Sequence, residues 1–383
     1  MAAPRPLLRL ADPRFGDEAI EAVARVLRSG TLTQGPIVAE FEAALARFVG
    51  ARHAVATSSA TAAIELALAA LDVAPGDEVI AADFTYPATG NAVLHRGARL
   101  RLADVDAATY CIDPGAVEAL LRPRTKAIVA VDVFGLAADY RALEPLLEER
   151  GVPLVCDAAC SLGASVDGRR TGTFGALSCF SFHPRKSLTT GEGGAVTTDS
   201  DALAARLRRL RNHGSERRGF RATFVEPGFN YRMSDLNAAL GLVQLPGHAA
   251  TVRRRRQLAA RLGERLAAVD GVAPQAVPDG HVHPYQAYVV TCDPGLDRDA
   301  IVRALRADGI ESTLGTYAMH AEPAFGTRCG TRPGDLPRSH ALAERTLALP
   351  LHQHLADGDV DRVADALAAA LMSTRRRPIA RTT

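Results

Sequence analysis

The sequence predicts an α/β protein: a large domain on a central, mostly parallel β-sheet and a smaller α+β C-terminal domain. Three observations lead to this prediction. The 383 residues exceed the length of one ordinary domain. A composition of 47% hydrophobic and 23% charged residues allows a sizeable buried core. Short apolar runs typical of strands alternate with helical patterns along the chain, which indicates a parallel sheet covered by helices.

Charge, cysteine content and apolar runs argue against several classes of protein. A formal net charge of +2 argues against binding nucleic acid through bulk charge. The chain has neither a basic-then-apolar signal pattern nor the roughly 20 apolar residues of a membrane span. No cysteine pair has C-x-x-C spacing, which argues against a zinc site or a disulfide framework. We expect free thiols in a reducing cytosol, at Cys111, Cys156, Cys160, Cys179, Cys292 and Cys329.

The first part of the chain predicts two amphipathic helices. DEAIEAVARVLRSG ends at Gly30, and IVAEFEAALARFVG follows the loop TLTQGP and also ends at a glycine. The strand HAVAT comes next, and the helix SSATAAIELALAAL begins at a serine cap. We expect the first two helices to form an N-terminal arm and the opening residues, up to about Pro6, to be disordered.

Strands and helices then alternate regularly. The strand patterns DEVIAA, ARLRLADV, KAIVAVDVF and VPLVCD are separated by the helix patterns TGNAVLHRG, DPGAVEALL and YRALEPLLEERG. This alternation predicts a parallel sheet with helices on both faces. Ligands of such sheets bind beyond the carboxyl ends of the strands, so we expect the site there.

The remaining elements indicate where the domains divide. The strands SCFSF and GGAVTT and the helix DALAARLRRLRNHG would complete a large domain over residues 1–247. A Pro-Gly pair precedes the long helix TVRRRRQLAARLGERLAAV, whose arginines at 253–256 we expect on a solvated face. The strand AYVVTC and further helices predict a small domain over residues 248–371, and residues 372–383 predict a flexible tail.

The stretch SFHPRKSLTTGEGGAV places Lys186 in a loop just after an apolar strand. A single lysine in that position is typically a surface charge. It becomes a candidate cofactor lysine through Asp157, which ends the strand VPLVCD and could lie beside the pyridine nitrogen of pyridoxal 5′-phosphate (PLP). An anion there keeps the nitrogen protonated, so that the ring can accept electrons from the substrate. By itself, Asp157 could equally cap the following turn.

Two further features would complete such a site. Ser59, Ala60 and Thr61 lie where a strand turns into a helix, and free N–H groups at a helix start attract phosphate. Ser181 could add a hydroxyl. Tyr86, in DFTYPATGNAV, follows a strand end and could stack on the pyridine ring. Each feature alone also has a structural explanation, since serines and threonines cap helices and Tyr86 could be a partly buried tyrosine.

Taken in order, these motifs resemble the DegT/StrS-type family of PLP-dependent sugar aminotransferases, which has the aspartate-aminotransferase fold (PLP-dependent transferase fold type I). The resemblance runs from about Arg9 to Leu371, nearly the whole chain. Its opening block is RSGTLTQGPIVAEFEAALARFVGARHAVATSSATAAIELALAAL, followed by PGDEVIAADFTYPATGNAVLHRGA. CDAACSLGA, SCFSFHPRK, TTGEGGAV, LRNHG, GFNYRMSDLNAALGLVQLP and LALPLHQHL then follow in family order.

The resemblance implies a role for each matching residue. Lys186 would form the Schiff base with PLP, Asp157 would pair with its pyridinium and Tyr86 would stack on its ring. The phosphate would be held by donors from Ala60, Thr61 and Ser181. Asn230, in GFNYR, resembles the residue that reaches the phosphate from the neighbouring subunit, which implies a homodimer with shared active sites. Tyr317 and His320, in GTYAMHAEPAF, fall in a loop that faces the substrate in the family.

Three positions near the implied site depart from the family pattern. Ala60 stands where a glycine is usual. Cys160 stands where a glutamine or histidine often contacts the phenolic oxygen of PLP, and a thiol is a poorer hydrogen-bond partner. Asp132 replaces a frequent histidine in VDVFG. These departures concern the identity of the substrate more than that of the cofactor.

The function implied is a PLP-dependent aminotransferase of amino-sugar or natural-product biosynthesis. Glutamate or glutamine would donate the amino group, and a nucleotide-linked keto- or aldehydo-sugar or a cyclitol would accept it. One alternative is a sugar dehydratase of the same family, but those relatives carry histidine at the position of Lys186. A second alternative is a regulatory protein that binds PLP without turnover. The acceptor, the ring position, the stereochemistry and the pathway stay open.

Two histidine pairs have a spacing that could chelate a metal ion. They are His281 with His283 and His352 with His354. No carboxylate or cysteine cluster accompanies them, so we expect surface or packing histidines and no metal site.

Overall fold

The computed structural model describes residues 6–332 and 334–375, so the disorder expected before Pro6 lies outside the described residues. The helices in this part of the chain are α1 (Asp17–Ser29), α2 (Pro36–Val49), α3 (Ala60–Ala70), α4 (Ala88–His95), α5 (Pro114–Leu120), α6 (Tyr140–Arg150), α7 (Asp201–Arg211), α8 (Asp235–Gln244), α9 (His248–Leu266), α10 (Arg298–Ala307), α11 (Gly326–Cys329), α12 (Pro337–Arg345) and α13 (Asp357–Arg375). In this part of the chain, no helix combines the length and apolar character that crossing a bilayer requires.

The strands are β1 (His53–Thr57), β2 (Glu78–Ala82), β3 (Phe84–Thr85), β4 (Arg99–Ala103), β5 (Thr125–Val131), β6 (Leu154–Asp157), β7 (Ser165–Val166), β8 (Arg169–Arg170), β9 (Leu177–Ser181), β10 (Gly194–Thr198), β11 (Ser215–Arg218), β12 (Arg221–Phe224), β13 (Val272–Pro274), β14 (His281–Val282), β15 (Tyr288–Cys292), β16 (Thr313–Leu314), β17 (Tyr317–Ala318) and β18 (Thr346–Leu349).

A seven-stranded sheet with the order β1-β10-β9-β6-β5-β2-β4 forms the centre of the molecule. The pairs from β9 to β4 are parallel, whereas β10 runs antiparallel to both β9 and β1. The α/β prediction with a mostly parallel sheet is therefore confirmed, and the antiparallel edge arises where GGAVTT returns beside SCFSF.

Helices cover both faces of this sheet, and successive strand residues face opposite layers. In β2, Val79 and Ala81 pack with α3, α4 and α7 in one hydrophobic cluster. Ile80 and Ala82 pack on the other face, in the cluster that includes side chains of α5 and α6. Burial on both faces explains why these strands are apolar without alternation.

The polar residues at the carboxyl edge of this sheet are the exception. Asp83 follows β2, Asp132 follows β5, Asp157 ends β6 and Ser181 ends β9. The carboxyl ends of parallel strands meet along one edge, which brings these residues together despite their separation in sequence. This edge is where the candidate site lies.

The residues after α9 contain a second, antiparallel sheet of order β13-β15-β18-β16. Its apolar side packs against α9, α10 and α13 in a cluster that includes Leu262, Val290 and Leu367. Helix α13 continues to Arg375, so the tail predicted to begin at residue 372 is helical over its first four residues. The remainder of that tail, 376–383, lies outside the described residues.

The expectation that all four arginines of α9 face solvent is wrong. Arg253 and Arg256 are exposed and Arg254 is half-buried, but Arg255 is buried. Helical geometry explains the difference, because Arg255 shares the inner face of α9 with Val252 and Leu258, which lie three residues away on either side.

Candidate active site

A cavity of about 910 Å³ opens at the carboxyl edge of the central sheet. It contains an amine, buried carboxyl groups and hydroxyls within one enclosure. Its walls include seven of the residues predicted from sequence, namely Ala60, Thr61, Tyr86, Asp157, Cys160, Ser181 and Lys186. Asn230, Tyr317 and His320 are outside the set of residues that line it.

Lys186 reaches this cavity from the loop between β9 and β10. Its backbone N–H donates to the carbonyl of His183 at 2.8 Å, which makes a tight turn out of SFHPRK. Its Nζ lies 3.0 Å from the Sγ of Cys160. The amine is therefore held against the turn that follows β6 instead of extending into solvent.

Asp157 presents a buried carboxylate at the end of β6. The hydroxyl of Thr89 donates to its Oδ2 at 2.8 Å, and the N–H of Ala159 donates to its Oδ1 at 3.2 Å. Burial raises the pKa of Asp157, while these two hydrogen bonds and the positive charge of Lys186 oppose that rise. A cationic ring nitrogen beside this carboxylate would be strongly favoured. Sequence reasoning missed Thr89, although it stands in the quoted motif DFTYPATGNAV.

Asp157 suits a cationic group, whereas the N-terminus of α3 offers hydrogen-bond donors for an anion. Ser59 caps the helix by accepting from the N–H of Ala62 at 3.1 Å. Among the hydrogen bonds of the described residues, none uses the N–H groups of Ala60 or Thr61. Gly194 packs directly beneath this turn, where a Cβ would lie 2.5–2.6 Å from backbone atoms of Ser59 and Ala60. Only glycine permits this close approach.

Tyr86 is 67% exposed, so the face of its ring is free to cover a ligand. The aromatic ring of Tyr317 meets it edge to face, with the centroids 6.4 Å apart. This contact exists because β17 pairs with β3, which sets Tyr317 opposite Thr85. Tyr317 thus lies beside a residue of the cavity wall without lining the cavity itself.

His320 is buried and directed away from the cavity, toward Asp83. Its Nδ1 lies 2.6 Å from Oδ2 of Asp83, and its backbone N–H donates to Oδ1 at 2.8 Å. The hydrogen bond to Asp83 raises the pKa of His320 more than burial lowers it. The pair fastens the segment that carries Tyr317 to the end of β2. Sequence reasoning missed Asp83, whose only signal was its place at a strand end.

Asp132 lies at the floor of the cavity and accepts three hydrogen bonds. The hydroxyl of Tyr140 and the N–H of Ala138 donate to Oδ1 at 2.6 and 2.9 Å, and the hydroxyl of Ser161 donates to Oδ2 at 2.5 Å. Burial raises the pKa of Asp132 to about 7 even so. Because Ser161 follows Cys160, Asp132 fixes the turn that carries the thiol.

The mouth of the cavity is polar and comes from the Lys186 loop itself. His183, Arg185 and Glu192 all line it. Nε2 of His183 lies 3.8 Å from Oε1 of Glu192, and burial lowers the pKa of His183. Sequence reasoning did not assign these side chains a role, although the motif SFHPRK placed two of them next to Lys186.

Asn230 is exposed, and its backbone forms an isolated bridge with Asn212. The adjacent hairpin of β11 and β12 exposes the apolar side chains of Phe220 and Phe224. A single chain therefore does not bring Asn230 to its own cavity.

Three of the four histidines considered as chelators make contacts with other rings. His283 is buried and stacks on Tyr285 at a centroid distance of 4.0 Å. His352 and His354 lie 6.1 Å apart by ring centroid. In residues 6–332 and 334–375, no group of three or more His, Cys, Asp or Glu side chains could hold a metal ion.

This set of groups fits a ligand with three features: a carbonyl, an anionic end and a cationic ring nitrogen. Lys186 provides an amine for the carbonyl, the start of α3 provides N–H groups for the anion, and Asp157 provides a carboxylate for the nitrogen. PLP has these features. The close packing of Gly194 under α3 supports the fit, since it keeps the anion subsite open without a side chain in its floor.

Known proteins are similar to this sequence across nearly its whole length. The model of the DegT/DnrJ/EryC1/StrS aminotransferase family matches residues 13–368. The spore coat polysaccharide biosynthesis protein SpsC of Bacillus subtilis (strain 168) is 36% identical over 368 residues, which are 93% of this chain and 95% of that protein.

Solved structures share the fold as well. The aminotransferase TlmJ from Streptoalloteichus hindustanus has a TM-score of 0.90 at 36% identity, over 96% of this chain and 99% of that one. A Streptococcus pneumoniae protein solved in a PLP-form has a TM-score of 0.91 at 28% identity, over 96% and 99%. The same protein has also been solved in a PMP-form. The fold predicted from sequence is thereby confirmed.

Proposed function

Because the chain belongs to the DegT/DnrJ/EryC1/StrS aminotransferase family, we propose that it is a PLP-dependent transaminase that aminates a sugar or a cyclitol. The observation that carries this proposal is the meeting of Lys186, Asp157 and the start of α3 in one cavity. A relative solved in both a PLP-form and a PMP-form supports the choice of cofactor. PLP, when bound, supplies an electron sink that makes the α-proton of an amino acid removable.

The residues of the chain would divide the work of binding. The N–H groups of Ala60 and Thr61 and the hydroxyl of Ser181 would hold the phosphate, since a helix N-terminus attracts anions. The carboxylate of Asp157, oriented by Thr89, would keep the ring nitrogen protonated. Tyr86 would cover the ring. These roles depend on groups that the fold already orients, so little reorganisation would be needed on binding.

Lys186 would move the proton. Its Nζ, as an amine inside a partly enclosed cavity, would be placed to act as a general base. Nζ would take the proton from the α-carbon of glutamate or glutamine and deliver it to C4′ of the cofactor. The reverse transfer would complete amination of the second substrate. Cys160 would be the neighbour of this amine throughout.

The second substrate would be a keto- or aldehydo-sugar, nucleotide-linked, or a cyclitol. The cavity of about 910 Å³ lies at the upper end of the roughly 300–1,000 Å³ usual for ligand pockets, which leaves room beside a cofactor. The polar side chains of His183, Arg185 and Glu192 at the mouth suit a hydroxylated substrate. The similarity to a polysaccharide biosynthesis protein supports the sugar class.

We also propose that two copies of the chain share their sites. Asn230 is exposed and outside its own cavity, and the neighbouring hairpin exposes Phe220 and Phe224. Apolar side chains exposed in this way are typical of a surface that another chain covers. Asn230 would then reach the phosphate in the partner's cavity.

Half-reactions followed by absorbance test the function. PLP-loaded protein mixed with glutamate or glutamine should lose its visible absorbance band, and the right keto-sugar or cyclitol should restore it. Lys186→Ala should show neither change. A protein that keeps its band with every amino donor would be a PLP-binding protein without turnover, and the proposed reaction would be wrong.

The shared site has its own test. Asn230→Ala should weaken PLP binding, and analytical ultracentrifugation should show a dimer. Wild-type PLP affinity in Asn230→Ala would remove the main support for sharing.

A further inference from the structure

The loop that carries Lys186 has no strand or helix of its own between β9 and β10. A catalytic amine must be held within roughly 0.5 Å of its working position, which an irregular loop does not achieve unaided. Inside the loop, the N–H of Lys186 bonds to His183 and the N–H of Thr190 bonds to Phe182. The carbonyl of Arg185 and the N–H of Ser187, on either side of Lys186, are instead bonded by another part of the chain.

The group that makes these bonds is the side chain of Gln286, a residue between β14 and β15. Its Nε2 donates to the carbonyl of Arg185 at 2.6 Å, and its Oε1 accepts from the N–H of Ser187 at 3.0 Å. Two neighbouring parallel strands pair in the same pattern: a residue of one strand bonds to the carbonyl that precedes, and to the N–H that follows, the facing residue of the other strand. One side-chain amide thus acts as a strand beside Lys186.

The backbone of Gln286 is itself firmly placed. The guanidinium of Arg255 donates to the carbonyl of Gln286 at 2.8 Å and to that of Tyr285 at 2.6 and 3.0 Å. Tyr285 has a φ of 51°, a conformation that is rare for an aromatic residue and that these bonds help to maintain. Gly135 lets this segment approach the Cys160 turn, because a Cβ there would lie 2.9 Å from the carbonyl oxygen of Cys160 and 3.2 Å from N of Gln286.

Arg255 is an unusual anchor. It is buried, and within the described residues its hydrogen-bond partners are backbone carbonyls and the amide oxygen of Gln353, with no carboxylate in ion-pair contact. Burial lowers the pKa of Arg255 to about 10, so the guanidinium stays charged at neutral pH. Burying a charge without a counter-charge is unfavourable, which makes a purely incidental role for Arg255 a poor explanation.

We propose that Gln286, anchored by Arg255, is the positioning residue of Lys186. It acts through the backbone on both sides of the lysine and touches neither cofactor nor substrate. The inference rests on the proposed function only in so far as Lys186 is the reacting amine. It gives the region after α9 a positioning role at the cavity of the central sheet.

Gln286→Leu tests this inference, because leucine has a similar size but neither donates nor accepts. In cofactor-free protein, hydrogen–deuterium exchange of the peptide spanning 183–190 should rise about tenfold, as expected for the loss of two modest hydrogen bonds. Exchange elsewhere should stay as in wild type. Gln286→Glu keeps the acceptor for Ser187 and should give a smaller rise.

Turnover supplies the second readout. In PLP-loaded Gln286→Leu, kcat should fall about 10- to 100-fold while KM for the amino donor stays within about twofold, because a misplaced amine slows proton transfer more than it weakens binding. Gln257→Leu is the matched control: the same substitution at an exposed position of α9, with no expected effect. Arg255→Lys, which lacks the guanidinium fork, should behave like Gln286→Leu.

The outcomes separate the two proposals. Unchanged exchange in 183–190, or a rise spread evenly over the protein, would overturn the positioning role, and so would a local rise with unchanged kcat. Absence of a cofactor signal in the wild type would instead overturn the proposed function, while the exchange data would still decide whether Gln286 holds the loop. If Gln286→Leu does not fold, Gln286→Glu and Arg255→Lys decide by the same measurements.

Discussion

The Nζ of Lys186 and the Sγ of Cys160 lie 3.0 Å apart across the cavity wall. The resemblance to the family implies that this thiol stands where a glutamine or a histidine often contacts the phenolic oxygen of PLP. A thiol is a weak hydrogen-bond partner, so it restrains the amine less than either of those side chains would. Fixation of Lys186 then has to come from elsewhere, and we propose that the two hydrogen bonds of Gln286 to the neighbouring peptide groups supply it.

Cys160 should be the first cysteine to react with an alkylating reagent. It is half-buried in the cavity, whereas the other five cysteines are buried. We expect iodoacetamide to inactivate the enzyme by modifying Cys160 next to Lys186, PLP to slow the inactivation, and Cys160→Ala to resist it. Peptide mass spectrometry checks the site. Equal modification of several cysteines, or inactivation of Cys160→Ala at the wild-type rate, would contradict this.

Asp157→Asn should separate stability from activity. Burial raises the pKa of Asp157, so a charged carboxylate there is unfavourable in the cofactor-free protein. The variant without cofactor should therefore be at least as stable as wild type in thermal denaturation. Turnover should fall by about 10²–10³-fold, the usual effect of removing one electrostatic group from an active site. Thr89→Val removes only the hydroxyl that orients Asp157 and should cost about tenfold.

Asp132 should make the protein less stable as the pH rises. Its pKa in the folded state is about 7, above the ordinary value of about 3.9 in an unfolded chain. The folded state therefore binds the extra proton between these values, and its stability declines from about pH 4 to about pH 7 by a few kcal/mol. Asp132→Asn lacks this decline, so denaturant titrations should favour the variant progressively over that range. A pH-independent difference would show that Asp132 titrates normally.

The pair of His320 and Asp83 should also lose stability as the pH rises, but in a higher range. Asp83 raises the pKa of His320, so the folded state holds the proton more tightly than the unfolded chain. The stabilisation is complete below about pH 6.5, the ordinary histidine value, and is lost as the pH rises through the raised pKa. The advantage of wild type over His320→Gln should shrink as the pH rises above about 6.5, and a constant advantage would contradict this. The ring centroid of His340 lies 5.7 Å from that of His320, so a His340 variant should be measured as a control for titration of this second histidine.

Periodicity was enough to predict the central sheet, and strand-end positions pointed to residues that line the candidate cavity, whereas the role proposed for each residue came from the family resemblance. Asp157, Ser181 and Lys186 lie at or just past strand ends, and parallel strands bring such ends together. The capped start of α3 was equally visible as a local pattern. These signals work because each depends on a few neighbouring residues.

The partners that fix these groups were not visible, because they come from distant parts of the chain. Asp83 and His320 are 237 residues apart, and Ser187 and Gln286 are 99 apart. Neither pair has a sequence pattern that links its members. The burial of Arg255 was missed for a related reason: a run of four arginines suggests solvent, and only the packing of α9 against the residues before β15 shows which one turns inward.

The identity of the reacting lysine is the central claim, and the composition of the chain makes its test unusually direct. Lys126 and Lys186 are the lysines of the sequence, so each is an internal control for the other. Borohydride reduction of PLP-loaded protein, followed by peptide mass spectrometry, should find the reduced cofactor bonded to the peptide with Lys186 and absent from that with Lys126. A label on Lys126, or no label on either peptide, would contradict the account.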